Sequence, residues 1–185
     1  MRIYFTASIS GKPSRKKDYD LILDTLKSQG ATIIADHIMQ TDATDIEQES
    51  PQDRIAFQNQ LEEWILDADA VIAEVSHPST SVGYEISLAV QKKKPTLLLY
   101  TNAKPPSLLA QYKTDDLVCE RYTKITLPTI LESFLRFAKD APDFRFTFFL
   151  PSDLNDYLEE TAEKNGVSKA AYVRLLISRD RDKPR

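Results

Sequence analysis

Ala70-Val71-Ile72-Ala73-Glu74-Val75-Ser76-His77-Pro78-Ser79-Thr80-Ser81-Val82-Gly83-Tyr84-Glu85 reads as a strand that runs into a helix. Ala70 to Ala73 with Val75 form an apolar run after Asp69, the pattern of a strand covered on both faces in a parallel sheet. Serine, proline and threonine stop it. From Tyr84 onward, Ile86, Leu88, Ala89 and Val90 lean toward one helical face, and Lys92 to Lys94 suit the negative end of that helix. The helix start is expected near Ser81 to Gly83, with Glu85 in the first turn. Free amides there, with the hydroxyls of Ser79 and Ser81, suit a phosphate, and Gly83 permits close approach of a ligand. A carboxylate beside an anion site fits chemistry on a phosphorylated sugar. A glutamate that only caps the helix, with serines that only make the turn, meets the same spacing.

Outward from this stretch the alternation repeats. Arg2 to Thr6 reads as a first strand, and Leu21, Ile22 and Leu26 with a stop at Gly30 read as an amphipathic helix. Ala31 to Ala35 is a second strand. A polar segment from Thr41 to Gln52 leads into a helical pattern at Ile55, Phe57, Leu61, Trp64 and Ile65. Pro95 to Tyr100 is a further buried strand, Leu117 to Tyr122 a weaker one, and Pro128 to Ala138 a closing helix. This alternation predicts an α/β fold with a Rossmann-like, doubly wound, parallel five-stranded sheet, whose ligands sit at the carboxyl ends of the strands. Glu85 and the loop after Thr6 both fall on that edge.

Composition changes at residues 139–143, where Asp140-Ala141-Pro142-Asp143 reads as a linker between a domain at 1–138 and a second unit at 144–185. Phe144, Phe146, Phe148 and Leu150 alternate with Arg145, Thr147 and Phe149, as in a strand with one apolar face, and Pro151 ends it. Ser152 or Asp153 caps a helix carrying Leu154, Tyr157, Leu158 and Ala162, which stops at Asn165-Gly166. Ser168 caps another with Ala171, Tyr172, Leu175 and Leu176. A β-α-α unit of about 40 residues is too small to bury its own core, so dimerisation is expected to complete it.

With 185 residues, 42% hydrophobic and 28% charged, the chain has the make-up of a globular protein and not of a disordered one. A formal net charge of -4 supplies no field that draws the whole molecule to nucleic acid or membrane, so any such contact is local. The lone Cys119 excludes an internal disulfide, builds no zinc site and fits a reducing compartment. Residues 1–30 lack a signal-peptide core, and no apolar stretch reaches the roughly 18 residues of a membrane span. A cytoplasmic protein without membrane contact is expected.

Tyr4-Phe5-Thr6-Ala7-Ser8-Ile9-Ser10-Gly11, and Ala68-Asp69-Ala70-Val71-Ile72-Ala73-Glu74-Val75 running into Pro78 to Glu85, resemble the nucleoside 2-deoxyribosyltransferase superfamily, especially its 2'-deoxynucleoside 5'-monophosphate N-glycosidases. The resemblance covers residues 1–125 and implies a Rossmann-like, usually dimeric domain. It implies that the glutamate matching Glu85 attacks the anomeric carbon, releases the base and leaves a glycosyl-enzyme for water or another base. It also implies that Ser8 and Ser79 help bind the 5'-phosphate or sugar; Gly11, Ser81 and Gly83 are expected to complete that cradle, with Tyr4, Ile9 and His37 in the substrate-binding set. No metal and no cofactor is called for, because a carboxylate can stabilise and trap an oxocarbenium-like sugar by itself.

Three positions depart from the family's N-glycosidases: Ser10 stands in place of an arginine, Ser81 of a glycine, and Leu61 of an aspartate three residues before Trp64. The first loses a fork that suits phosphate. The last loses a group that orients the sugar or protonates the departing base. Glu62 and Glu63 point about 100° away per helical step, which leaves Asp36 and His37 as candidates. Asp36 equally suits a turn, and His37 a partly exposed polar position. His77 reads as a loop residue, Trp64 as packing, and Tyr4 as core or as a surface on which a base stacks.

In the second unit, Phe148-Phe149-Leu150-Pro151-Ser152-Asp153-Leu154 and Gly166-Val167-Ser168-Lys169-Ala170-Ala171-Tyr172-Val173-Arg174 resemble the ribbon-helix-helix fold of small dimeric DNA-binding proteins. The resemblance implies that paired strands present Arg145, Thr147 and Phe149 to the major groove, with the helix start at Ser168 and Lys169 on phosphate. Residues 144–185 hold eight Lys and Arg against seven Asp and Glu, a net of +1 that favours dimerisation over DNA binding. The leading expectation is a nucleoside or nucleotide N-glycosidase or deoxyribosyltransferase whose partner is a nucleoside or its 5'-monophosphate. Its rival is a catalytically silent nucleotide sensor that controls a DNA-binding homodimer through residues 144–179.

Overall fold

A computed structural model of the protein describes residues 1–42, 44–45, 50–102, 104, 116–139, 150–164 and 169–181. In chain order these form β1 (Arg2–Ala7), α1 (Lys12–Ser28), β2 (Thr32–Ile34), α2 (Asp36–Met39), α3 (Pro51–Asp67), β3 (Ala70–Glu74), α4 (Thr80–Gln91), β4 (Thr96–Tyr100), β5 (Leu117–Arg121), α5 (Leu127–Lys139), α6 (Ser152–Lys164) and α7 (Lys169–Arg181). The chain divides into two compact units, Met1–Phe144 and Arg145–Arg185.

The first unit holds a five-stranded parallel sheet of order β2-β1-β3-β4-β5. The direction of winding changes between β1 and β3, and such a switch point opens a crevice beyond the carboxyl ends of the strands. Ala7 sits opposite Glu74 at that end, and Glu74 opposite Leu99. Alternate residues serve opposite faces. Ile3, Phe5, Ile72, Leu97 and Leu99 pack with Tyr19, Ile22 and Leu26 of α1 and Leu131 and Phe134 of α5. Tyr4 and Val71 pack with Leu61 and Ile65 of α3 and Leu88 and Ala89 of α4. Ala73 and Leu98 meet Val82 and Ile86 of α4. Cover on both faces is the reason that β3 and β4 read as unbroken apolar runs.

Helix α4 begins earlier than its apolar pattern predicts. Ser79 is extended and its hydroxyl accepts from the Val82 amide at 3.4 Å, which makes it the N-cap. The helix therefore starts at Thr80, and Glu85 lies in the second turn, buried, not in the first turn as a cap. Lys92 to Lys94 close the helix from outside its last turn: Lys92 is the C-cap, Lys93 has φ +54°, and Lys94 Nζ donates to Leu66 O and Ala68 O at 2.6 and 2.8 Å. That ammonium completes the carbonyl end of α3. Helix α3 itself starts from a capping box between Ser50 and Asp53, inside the segment expected to be a polar connection. A single helical turn, α2, stands where Asp36 was expected only to turn the chain. Gly30 ends α1 with φ +79°, as its position predicts.

The second unit presents two helices, α6 and α7, that bury Ala162 and Tyr172 but leave Leu154, Tyr157, Leu175, Leu176 and Ile177 exposed. The expected linker starts later than residue 139, because Lys139 is the last residue of α5. Asp140 to Asp143, the strand positions through Phe149 with Arg145 and Thr147, and the cap at Ser168 lie outside the described residues. Among the described residues no helix is long and apolar enough to cross a membrane.

Ile72 is fully buried in the central strand and belongs to the core beneath α1 and α5. Ile72→Ala is expected to lower the unfolding free energy by roughly 3 kcal/mol. A chemical denaturation curve should show this as a lower midpoint at unchanged slope.

Candidate active site

Strand β1, the turn α2, helix α3 and the first two turns of α4 bring their polar side chains to one side of the crevice. Tyr4 is wholly buried, and its hydroxyl donates to Glu85 Oε2 at 2.9 Å while lying 2.9 Å from His37 Nε2. The one phenolic proton is used on the carboxylate, so Nε2 is assigned the imidazole proton and donates to the Tyr4 oxygen. Glu85 is 4% exposed and lines a cleft of about 320 Å³ walled by Phe57, Leu61, Ser81 and Tyr84. Tyr4 donates to Oε2, and the Thr6 hydroxyl also stands beside the carboxylate.

Charge in this cluster concentrates on Glu85. Burial pushes its carboxyl above the usual carboxylate range, and the hydroxyls of Thr6 and Tyr4 oppose that rise. Burial, reinforced by the neighbouring Glu85 charge, drives the Tyr4 phenol far above its ordinary value, so it stays protonated. Burial lowers His37 to about 4, which keeps its ring neutral near pH 7. The ring is held between Tyr4, at a centroid distance of 5.0 Å, and Trp64, at 5.2 Å. Phe57 closes the aromatic group at 6.1 Å from His37 and 6.2 Å from Trp64. Thr6 Oγ1 and His37 Nδ1 are buried with no protein partner at hydrogen-bond geometry. Unpaired buried polar atoms are uncommon, and both lie in the group around Glu85.

The turn after β1 is built on Ser8, whose Oγ accepts from the Gly11 amide at 3.1 Å and lies 3.0 Å from Ser10 Oγ and 3.2 Å from His77 Nδ1. A Cβ at Gly11 would sit 2.7 Å from His77 Cβ, so glycine lets the β1–α1 and β3–α4 loops touch. His77 is thereby more than a surface loop residue. At the start of α4, Ser79 already holds the Val82 and Gly83 amides. The orphan donors are therefore those of Thr80 and Ser81, not the expected set reaching Gly83. An added Cβ at Gly83 meets nothing within 4 Å, so packing does not demand glycine there. Ile9, expected in the binding set, is partly buried and packs against the core beneath α1.

The other face of β3 carries a second buried acid that periodicity passed over. Glu74 accepts from the Ser76 hydroxyl and from Tyr122 OH at 3.4 Å, and burial raises it above the carboxylate range. Ser76 Oγ accepts from the Thr101 amide at 2.9 Å, and Thr101 Oγ1 accepts from Arg15 at 2.7 Å. These bonds fix the loop that launches α4. The available signal was a charged residue inside an apolar run.

The structure thus brings Tyr4, His37 and Glu85 together, with Ser81 on the cleft wall and Ser8, Gly11 and Ser79 in the adjoining loops. His37 is buried, not partly exposed, because α2 turns it inward against Tyr4 and Trp64. Tyr4 has no exposed face on which a base could stack. Leu61 lines the cleft as an apolar wall, Asp36 is exposed, and neither Asp36 nor His37 is among the residues that line the cleft. Thr6, Phe57, Gln58 and Tyr84 were not foreseen as site residues. In the second unit, Lys169 Nζ bonds Glu159 at 3.1 Å and Asn155 at 3.4 Å. Among the described residues no group of three or more potential ligands could hold a metal ion.

Residues 3–128 match the family model for nucleoside 2-deoxyribosyltransferase. The 5-hydroxymethyl-dUMP N-hydrolase of Tetraodon nigroviridis is 29% identical over 138 residues, spanning 72% of this chain and 96% of that one. The protein of that name from Esox lucius is 32% identical over 114 residues, 61% of this chain and 78% of that one. Among solved structures, the CMP N-glycosidase of Clostridium botulinum superposes with a TM-score of 0.51 at 18% identity, over 71% of this chain and 99% of its own. The 2-deoxyribosyltransferase of Bacillus psychrosaccharolyticus gives 0.50 at 15%, over 79% and 93%. At those identities the two structures speak for the fold. The family match runs from β1 into α5, so it takes in the whole sheet and every residue around Glu85. On that match and that sheet, the chain belongs to the nucleoside 2-deoxyribosyltransferase family.

Proposed function

We propose that the chain is a nucleotide N-glycosidase that hydrolyses the base–sugar bond of a 2'-deoxynucleoside 5'-monophosphate, with Glu85 as nucleophile. The observation that carries this reading is a buried carboxylate that lines a cleft and is oriented by the Tyr4 hydroxyl. The relatives named as N-hydrolases support the reaction class. The Glu85 carboxylate attacks C1', the C1'–N bond breaks, and its electron pair goes to the base nitrogen. Leu61 offers no proton to that nitrogen, so the base takes one from solvent. Water then attacks C1' of the glycosyl ester, returning the carboxylate and releasing the sugar phosphate with retained configuration. Ser10, Ser79 and the orphan amides of Thr80 and Ser81 are the donors suited to the 5'-phosphate.

Glu85→Gln is expected to cut release of free base by at least ~10³-fold, followed by chromatography. Retained turnover in this variant would refute the role. The same substitution changes stability in a defined direction. Because the native carboxyl sits above its unfolded value, the stability it confers is present below that unfolded value and lost as pH rises through the raised one. The melting temperature of Glu85→Gln should therefore gain on that of the wild type as pH goes from about 4 to about 8.

Tyr4→Phe removes a hydroxyl that draws the Glu85 carboxyl downward. The acid limb of kcat/KM is expected to move to higher pH, and kcat to fall by about tenfold to a hundredfold, as for loss of a hydrogen bond to a charged group. An unmoved acid limb would separate Tyr4 from the ionisation of Glu85. Ser10, Ser81 and Leu61, which depart from the family's N-glycosidases, favour a silent nucleotide sensor, and detection of free base distinguishes the two readings.

The exposed apolar residues of α6 and α7 support a homodimer formed through the second unit. Sedimentation should give about twice the 21.1 kDa chain mass, and Leu176→Glu should return it toward one chain. A wild-type monomer, or a dimer untouched by that change, would contradict this arrangement.

A further inference from the structure

We infer that Phe57 and Tyr84 hold the departing nucleobase between them at the mouth of the cleft, with the Gln58 side chain at its edge. The inference rests on the reading of Glu85 as nucleophile, and names what that site grips on the other side of the sugar. Displacement at C1' by a carboxylate needs the attacking oxygen, C1' and the base nitrogen nearly in line. The base must then lie on the far side of C1' from Glu85. Depth along the cleft runs the same way: Glu85 is 4% exposed, whereas Phe57 and Tyr84 on the same walls are 38% and 46% exposed. A sugar seated on the carboxylate therefore sends its base outward, between α3 and α4, where these rings stand.

The two rings come from different walls, Phe57 from α3 and Tyr84 from α4, so a planar group between them can be met on both faces. Phe57 meets His37 at a tilted angle and Trp64 edge to face, and it still lines the cleft with more than a third of its surface open. Tyr84 has no aromatic neighbour among the described residues, and nearly half its surface is open. Gln58 Nε2 donates to Tyr84 OH at 3.3 Å, linking the two walls at the mouth. That bond leaves the Gln58 carbonyl free to accept and the Tyr84 proton free to donate, a pair that suits the amide or imide edge of a base. Leu61 completes an apolar wall. The ligand class is a flat aromatic ring with a polar edge, recognised mainly through its faces.

The discriminating substrates are 2'-deoxyuridine 5'-monophosphate and its 5,6-dihydro counterpart, which keeps the polar edge but loses the flat aromatic ring. In Tyr84→Leu, and separately in Phe57→Leu, KM for the aromatic substrate should rise about 5-fold to 100-fold. The preference of kcat/KM for the aromatic over the saturated base should shrink accordingly, and Tyr84→Phe should keep that preference. Equal effects on both substrates, or no effect on either, would overturn the inference. Thermal midpoints of the variants check folding, and the two walls supply independent variants if one is lost. Base release that survives in Glu85→Gln would instead overturn the nucleophile reading beneath it, so the two failures are separable.

Discussion

The hydrogen bond from Tyr4 to Glu85 is the contact on which the site depends, because it joins strand β1 to the helix that carries the acid. A carboxylate enclosed to this degree is unfavourable in its charged form, by several kcal/mol for an unpaired ion. A hydrogen bond to a charged group returns only about 1.5–3 kcal/mol. The balance stays against ionisation, and the raised Glu85 value expresses it. Such a group is poorly solvated and oriented through one oxygen, which are the properties of an activated oxygen nucleophile. His37 completes the arrangement from behind. Its neutral ring donates to the Tyr4 oxygen, so the phenolic proton is directed at Glu85 and nowhere else.

The sheet supplies the geometry by which these groups meet. Tyr4 and Thr6 share the face of β1 toward α3 and α4, and the switch point beside β3 leaves space above the strand ends. On the opposite face, Glu74, Ser76, Thr101 and Arg15 tie the ends of β3 and β4 to α1. The strand that ends in one buried acid thus feeds the loop that positions the other. Ser79 then sets the helix start one cap earlier than its apolar stripe suggests, and turns Glu85 inward.

Much of the fold was legible because unbroken apolar runs, period-3.6 stripes and glycine stops coincide along residues 1–138. Glu85 was legible too, through its place just beyond a buried strand. The depth of a side chain was less so. His37 looked half-exposed because periodicity carries no information about a single turn such as α2 folding back on Tyr4 and Trp64. Tyr4 as a stacking surface failed for the same reason, because a strand end has an inside. Phe57 and Tyr84 escaped notice because apolar residues on amphipathic helices read as core, and only the shape of the cleft shows which of them remain open.

A covalent bond between Glu85 and the sugar is the step that defines the proposed reaction. A 2'-fluorinated arabino analogue of the nucleotide slows both steps, release of the ester most of all, so mass spectrometry of the quenched enzyme followed by peptide mapping can find the adduct. One sugar phosphate per chain, on the peptide that contains Glu85, is the predicted result. An adduct on another residue, or base release with inverted configuration at C1', would contradict it.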